Sequence, residues 1–158
     1  MNVNILAVGK IKEKYIKEGM SEFTKRLSAH CNTRIIEVAD ESAPENLSQK
    51  DEESIKVREG EKLLRHLKDG YTVALDIRGK KFTSESFAAK LKDIMLEGNS
   101  TVNFVIGGSL GLSEEVLNRA DLRLSFSDMT FPHQLMRLIL LEQVYRAFRI
   151  INNFPYHK

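Results

Sequence analysis

Three stretches of this sequence place glycines, hydroxyls or an imidazole directly after an apolar run, where a ligand can approach the backbone. They are Leu75-Asp76-Ile77-Arg78-Gly79-Lys80, Ile106-Gly107-Gly108-Ser109-Leu110-Gly111 and Leu124-Ser125-Phe126-Ser127-Asp128-Met129-Thr130-Phe131-Pro132-His133. Glycine permits close approach and exposes amide N–H groups. The glycine pair reads equally as a tight turn or as a ligand cradle. Phe126–Phe131 is too apolar for an ordinary loop, so it is either a buried connector or a backbone cradle for a flat ring such as adenine. Gly107–Gly111 does not fit G-x-G-x-x-G, and G-x-x-x-x-G-K-[ST] is absent, so the dinucleotide and triphosphate fingerprints are both missing. A G-x-S-x-G elbow and an H-E-x-x-H pair are also absent.

The four histidines, His30, His66, His133 and His157, are scattered without partners at ligand spacing, so no metal is expected. His133 opens a helical pattern beside the third stretch, where a structural hydrogen bond and a catalytic role both fit. The tail, Asn152-Asn153-Phe154-Pro155-Tyr156-His157-Lys158, follows shortly after Arg146 and Arg149. Most termini fray. This one has the groups to stack a base, move a proton and hold a phosphate. Cys31, the single cysteine, can form neither an internal disulfide nor a zinc clip, and it reads as an inert thiol in a reducing compartment.

The elements that must position these groups alternate in hydrophobic period. Val3–Val8, Arg34–Val38, Tyr71–Ile77, Thr101–Ile106 and Leu122–Phe126 read as strands. Lys12–Ser28 puts Ile16, Met20, Phe23 and Leu27 on one helix face. Ser84–Leu96 does the same with Phe87, Leu91, Ile94 and Met95, capped by Thr83 or Ser84, and Ser113 caps a short helix to Arg119. The charged stretch Glu41–Lys62 reads as a solvated loop followed by a long helix. Near-continuous apolar strands alternating with helices predict an α/β fold, a mostly parallel sheet covered on both faces. At 158 residues the chain is expected to be a single domain, 1–158.

His133–Arg149 is apolar almost all the way round, and such a helix must be buried on every side. With one face on the sheet, a second copy of the chain is the simplest cover for the other, which predicts a homodimer. With 42% hydrophobic and 29% charged residues, the core needs no disulfide or structural metal. No apolar run approaches the ~20 residues of a membrane span, and no basic segment precedes an apolar one at the N-terminus, so a cytoplasmic protein is expected. A formal charge of +2 leaves the partner open.

Several motifs occur together in a fixed order: Ile5-Leu6-Ala7-Val8-Gly9-Lys10, Leu75–Lys80, Phe104–Gly111, Met129-Thr130-Phe131-Pro132-His133-Gln134, Glu142-Gln143-Val144-Tyr145-Arg146-Ala147 and Tyr156-His157-Lys158. With them the chain resembles, end to end, the bacterial 23S rRNA pseudouridine-N3 methyltransferases of the SPOUT, or α/β-knot, superfamily. That resemblance implies a C-terminal trefoil knot, which connection rules alone would not predict. It implies S-adenosylmethionine bound in the knot by Leu75, Gly107, Phe126, Ser127, Asp128, Met129, Thr130 and Phe131. It also implies a homodimer whose substrate site combines both protomers, acting on 23S rRNA in the assembled 70S ribosome. For such chemistry His157 is the first candidate base and His133 the second, Tyr156 stacks on the base, and Arg146, Arg149 and Lys158 meet phosphates. A ribosome-binding factor that keeps the fold without the activity is the alternative.

Overall fold

The computed structural model describes residues 1–158. Five strands alternate with five helices in the order β1 (Asn2–Val8), α1 (Lys14–Leu27), β2 (Asn32–Val38), α2 (Gln49–Arg65), β3 (Tyr71–Lys81), α3 (Ser84–Leu96), β4 (Thr101–Ile106), α4 (Glu114–Arg119), β5 (Leu122–Ser125) and α5 (His133–Ile151). All strand pairs are parallel, and the sheet order is β2-β1-β4-β3-β5. The α/β architecture follows from the period-two geometry of strands, which sends alternate side chains to opposite faces. Val3, Ile5 and Ala7 join Phe104 and Ile106 on a large core beneath α1, α3 and α5. Leu6, Val8 and Val105 join a smaller core beneath α2 and α4.

Three of the five helices begin where a hydroxyl side chain satisfies a free amide at the first turn. Ser48, Thr83 and Ser113 accept from the amides of Asp51, Ser86 and Val116, and Ser86 returns a bond to the Thr83 amide. The charged segment resolves at Ser48 into a loop and α2, which buries Ile55, Glu59, Gly60 and Leu63.

Strand β3 corrects the expected end at Ile77 and runs on to Lys81. Leu124 pairs with Leu75 and again with Lys80, so residues 76–79 leave the ladder as a bulge. Asp76 closes it by accepting from the Arg78 amide at 3.1 Å. Gly79 is required there, because a Cβ would stand 2.6 Å from the Arg123 backbone.

Helix α5 starts at His133, as its apolar pattern implies, with Pro132 at its N-cap. Leu140, Leu141, Val144, Ala147 and Phe148 face the core. Leu138, Tyr145, Ile150 and Ile151 also pack on that core, flanked by α1 and α3, so much of the apolar circumference is covered within one chain. Leu135 and Ile139 remain half-buried outside it.

Candidate functional site

A cleft opens at the carboxyl ends of β3, β4 and β5, where ligands bind in parallel α/β sheets. Leu75, Asp76 and Ile77 form one wall, Gly107, Gly108 and Gly111 a second, and Phe126–Ser127 with Met129–Phe131 a third. His133 and Met136, from the first turn of α5, complete it. Of the eight residues anticipated for a cofactor, seven line this cleft. Asp128 does not; its carboxylate turns outward to an ion pair with Lys81.

The glycine turn is tight because the chain closes on itself. Gly108 and Gly111 form an isolated antiparallel bridge, and a Cβ on Gly107 would meet the Gly111 carbonyl carbon at 2.7 Å. Gly111 has φ +88°, a conformation that glycine adopts without a Cβ penalty. Beneath the turn lies Glu59, 4% exposed, whose carboxylate accepts from the Glu41 amide at 3.0 Å. A Cβ on Gly108 would come within 3.2 Å of that carboxylate. Burial pushes the Glu59 carboxyl above its ordinary range, and nearby Asp40 adds to the effect.

Residues 126–131 are not a buried connector. Ser127 Oγ accepts from the Met129 amide at 3.0 Å, and Ser125 Oγ donates to the Ser127 carbonyl at 3.2 Å, which fixes the loop's shape. Met129 and Phe131 then stand at the mouth, 75% and 36% exposed.

His133 is half-buried at the cleft. Burial lowers its pKa first, Arg137 lowers it further, and Asp40 and Glu13 only partly offset this, so the ring is held neutral. One turn along, Arg137 is completely buried. Its guanidinium donates to the Val8 and Gly9 carbonyls, both at 2.7 Å, and to Glu37 at 2.7 Å. Glu37 also accepts from the Ile11 amide at 2.9 Å. The start of α5 is thereby tied to the carboxyl ends of β1 and β2. Sequence reasoning passed over this pair, although an arginine set among Leu135, Met136, Leu138 and Ile139 was the available signal.

The tail is ordered against α5 and α3. Tyr156 donates to Glu142 at 3.0 Å and lies against the Arg146 guanidinium, 4.7 Å from ring centre to charge. Burial, with Glu142, raises the Tyr156 pKa and keeps the phenol protonated. His157 Nδ1 is 3.1 Å from Arg146 and Nε2 is 2.7 Å from Glu85. A guanidinium only donates, so Nδ1 accepts and Nε2 carries the ring proton toward Glu85. Arg146 also grips Glu142 at 2.5 Å, while Arg149 donates to the Pro155 carbonyl at 3.1 Å and packs over Phe154. Lys158 is exposed. Glu142 and Arg146 lie nine and thirteen residues beyond His133, about 14–20 Å along the helix at its rise per residue. Within one protomer no tail residue lines the cleft, although Ser84 and Gln143, next to the residues that hold the tail, line a groove with Phe126, and His157 and His133 do not share a pocket.

The profile of a family described as "Predicted SPOUT methyltransferase" matches residues 1–157. The chain is 60% identical over 159 aligned residues to a protein of Finegoldia magna named "Ribosomal RNA large subunit methyltransferase H", covering 100% of both chains. A protein of the same name from Clostridioides difficile is 61% identical, again with 100% coverage of both. Among solved structures, a probable methylase family protein of Haemophilus influenzae shares the fold with a TM-score of 0.57 at 12% identity, over 99% of this chain and 70% of that one.

Proposed function

This chain belongs to the SPOUT methyltransferase family, and from that premise we propose that it methylates large-subunit ribosomal RNA, with S-adenosylmethionine as donor and ring N3 of a pseudouridine in a 23S rRNA stem-loop as acceptor. The observation that carries the reading is the cleft where the Gly107–Gly111 turn faces the 126–131 loop at the strands' carboxyl ends. Its makeup suits the cofactor. The glycine turn brings backbone amides close to a ligand, Leu75 and Phe126 offer apolar walls for adenine, and no charged side chain other than Asp76 lines the cleft. Leu75, Gly107, Phe126, Ser127, Met129, Thr130 and Phe131 would hold it, with Asp128 shaping the loop through Lys81.

The cofactor supplies an electrophilic methyl group on a sulfonium. The protein's part is to align the acceptor nitrogen, exclude water and take the N3 proton. His133, held neutral at the cleft, has a lone pair available for that proton. His157 becomes available only when Arg146 releases Nδ1, because in this arrangement both of its nitrogens are engaged. Approach of an RNA phosphate to Arg146, Arg149 and Lys158 would draw the guanidinium away and free the ring.

The separation of tail and cleft supports a homodimer in which each tail serves the partner's cleft, with Tyr156 stacking on the target base. Leu135 and Ile139 would lie in that interface. A trefoil knot is part of the same proposal. What supports it is that after β5, on one edge of the sheet, the 126–131 loop shares a cleft with Asp76, Ile77 and the glycine turn, and α5 then reaches Glu37 on the opposite edge through Arg137. The site of action is the assembled 70S ribosome in the cytoplasm.

The test is methyl transfer from labelled S-adenosylmethionine to 70S ribosomes and to protein-free 23S rRNA, both from a strain lacking the gene, with mass spectrometry of the product. Label on a pseudouridine of the 70S particle is the expected result. Ribosome binding without label on either preparation would overturn the catalytic reading in favour of a binding factor.

A further inference from the structure

The face of the sheet beneath α2 and α4 carries an apolar core only in its carboxyl half. There Leu6, Val8, Val38 and Val105 form the smaller core. In the amino half the same face carries amides in register: Asn2 stands opposite Asn32 and Thr101, and Asn4 opposite Arg34 and Asn103. Asn2, Asn4, Asn32, Arg34 and Thr101 line a concavity with Thr33 and Lys68, and neither an apolar residue nor a carboxylate contributes to it, while Asn103 lies buried behind Asn4. A parallel sheet normally buries both faces, so this polar shelf departs from the pattern that the rest of the sheet obeys.

The shelf is built rather than merely solvated. Asn4 Nδ2 donates to Asn103 Oδ1 at 2.9 Å, and Asn103 Nδ2 donates to the Lys68 carbonyl at 2.7 Å, with Asn4 7% exposed and Asn103 fully buried. At the rim Asn32 Nδ2 donates to Asn2 Oδ1 at 3.3 Å. These bonds fix the amide planes and leave Asn4 Oδ1 and the Asn2 N–H groups for another partner. Two cations, fixed amides and an absence of carboxylates match a polyanion that also carries hydroxyls and base edges.

The shelf also continues toward the tail. Two residues before Asn32, the His30 ring stacks on Phe148 at 5.6 Å and lies 6.2 Å from Phe154, which sits beneath Arg149. The shelf and the Phe154–Arg149 part of the tail thus lie near one sheet end, Tyr156 and His157 turn back toward Glu142 and Glu85, and the cofactor cleft is at the other end, about 23 Å away along the seven residues of β1. We infer that Arg34, Lys68 and the amides of Asn2, Asn4 and Asn32 form a second RNA-contact surface, which takes the phosphate–ribose backbone of the strand leading to the tail. This rests on the rRNA reading above and extends it to how the substrate is gripped.

The experiment compares the wild-type protein with Arg34→Ala/Lys68→Ala, both sites being exposed and outside the cleft and tail. Binding to 70S ribosomes from the deletion strain is followed by fluorescence anisotropy across salt concentrations, and methyl transfer is measured on the same samples. The expected variant binds about tenfold more weakly, loses about two from the slope of log affinity against log salt, and keeps its kcat and its affinity for S-adenosylmethionine. Unchanged ribosome KM and salt slope, with wild-type methylation intact, would overturn the shelf alone. Weaker binding with an unchanged slope would indicate a protein contact and overturn it as well. A wild-type protein that neither binds nor methylates the ribosome would overturn both this inference and the reading beneath it.

Discussion

Two histidines tie the residue scale to pH. His133 and His30 both have pKa values lowered chiefly by burial, with Arg137 and Arg149 respectively adding repulsion. A ring that resists protonation when folded but accepts it when unfolded makes stability fall as pH drops below the unfolded value of about 6.5. The urea midpoint should therefore be constant from pH 8 to about 7 and decline toward pH 5. His30→Phe, which keeps the stack on Phe148, should flatten part of that decline; an identical slope would show that the loss comes from other groups. Gly107→Ala acts on shape alone. Its Cβ has no room beside Gly111, so the turn must open. The variant should remain folded by circular dichroism while its affinity for S-adenosylmethionine in calorimetry falls at least tenfold, about 1.4 kcal/mol.

Among the elements, α5 carries the most distinctive constraint. Arg137 is fully buried but the Glu37 side chain is 34% exposed, so removing the guanidinium leaves two strand-end carbonyls unpaired, about 1–3 kcal/mol each, and a carboxylate that water partly reaches. Arg137→Met should thus lower thermal stability sharply by taking this donor from the Val8 and Gly9 carbonyls and leaving Glu37 only the Ile11 amide. Adding Glu37→Gln should recover part of the loss, and a double variant no better than the single would argue that the carbonyl bonds dominate. The helices and strands themselves were legible from periodicity and capping residues, as at Ser113 and Thr83. The 76–79 bulge was not, because nothing local in Asp76-Ile77-Arg78-Gly79 reveals that Leu124 will pair twice. The cleft was legible through glycines and apolar loop residues that sit badly in ordinary turns. Its anchor, Arg137, was not, because its partners are strand carbonyls distant in sequence.

For the whole molecule, the separation of tail and cleft makes a quantitative prediction. If each tail completes the partner's cleft, His157→Ala and Gly107→Ala chains co-expressed as mixed dimers place both lesions in one site and leave the other intact. Random pairing should then restore about a quarter of wild-type methyl transfer, although each variant alone is nearly inactive. Activity no greater than the sum of the two variants would mean that tail and cleft act within one chain. Ile139→Asp, on the half-buried outer face of α5, should yield monomers in sedimentation analysis and abolish transfer while leaving the core intact.

The bonds from Arg137 to Val8 and Gly9 have one more consequence, for biosynthesis. They join positions 129 and 128 residues apart in sequence: a donor on α5 closes the end of β1. During vectorial synthesis the end of β1 emerges first of the two and waits, its carbonyls unclaimed by Arg137, until α5 has been translated. A stalled or truncated product therefore has no closed cleft, whatever else it folds. The enzyme that would modify the ribosome is one that a ribosome must finish before any of it can work.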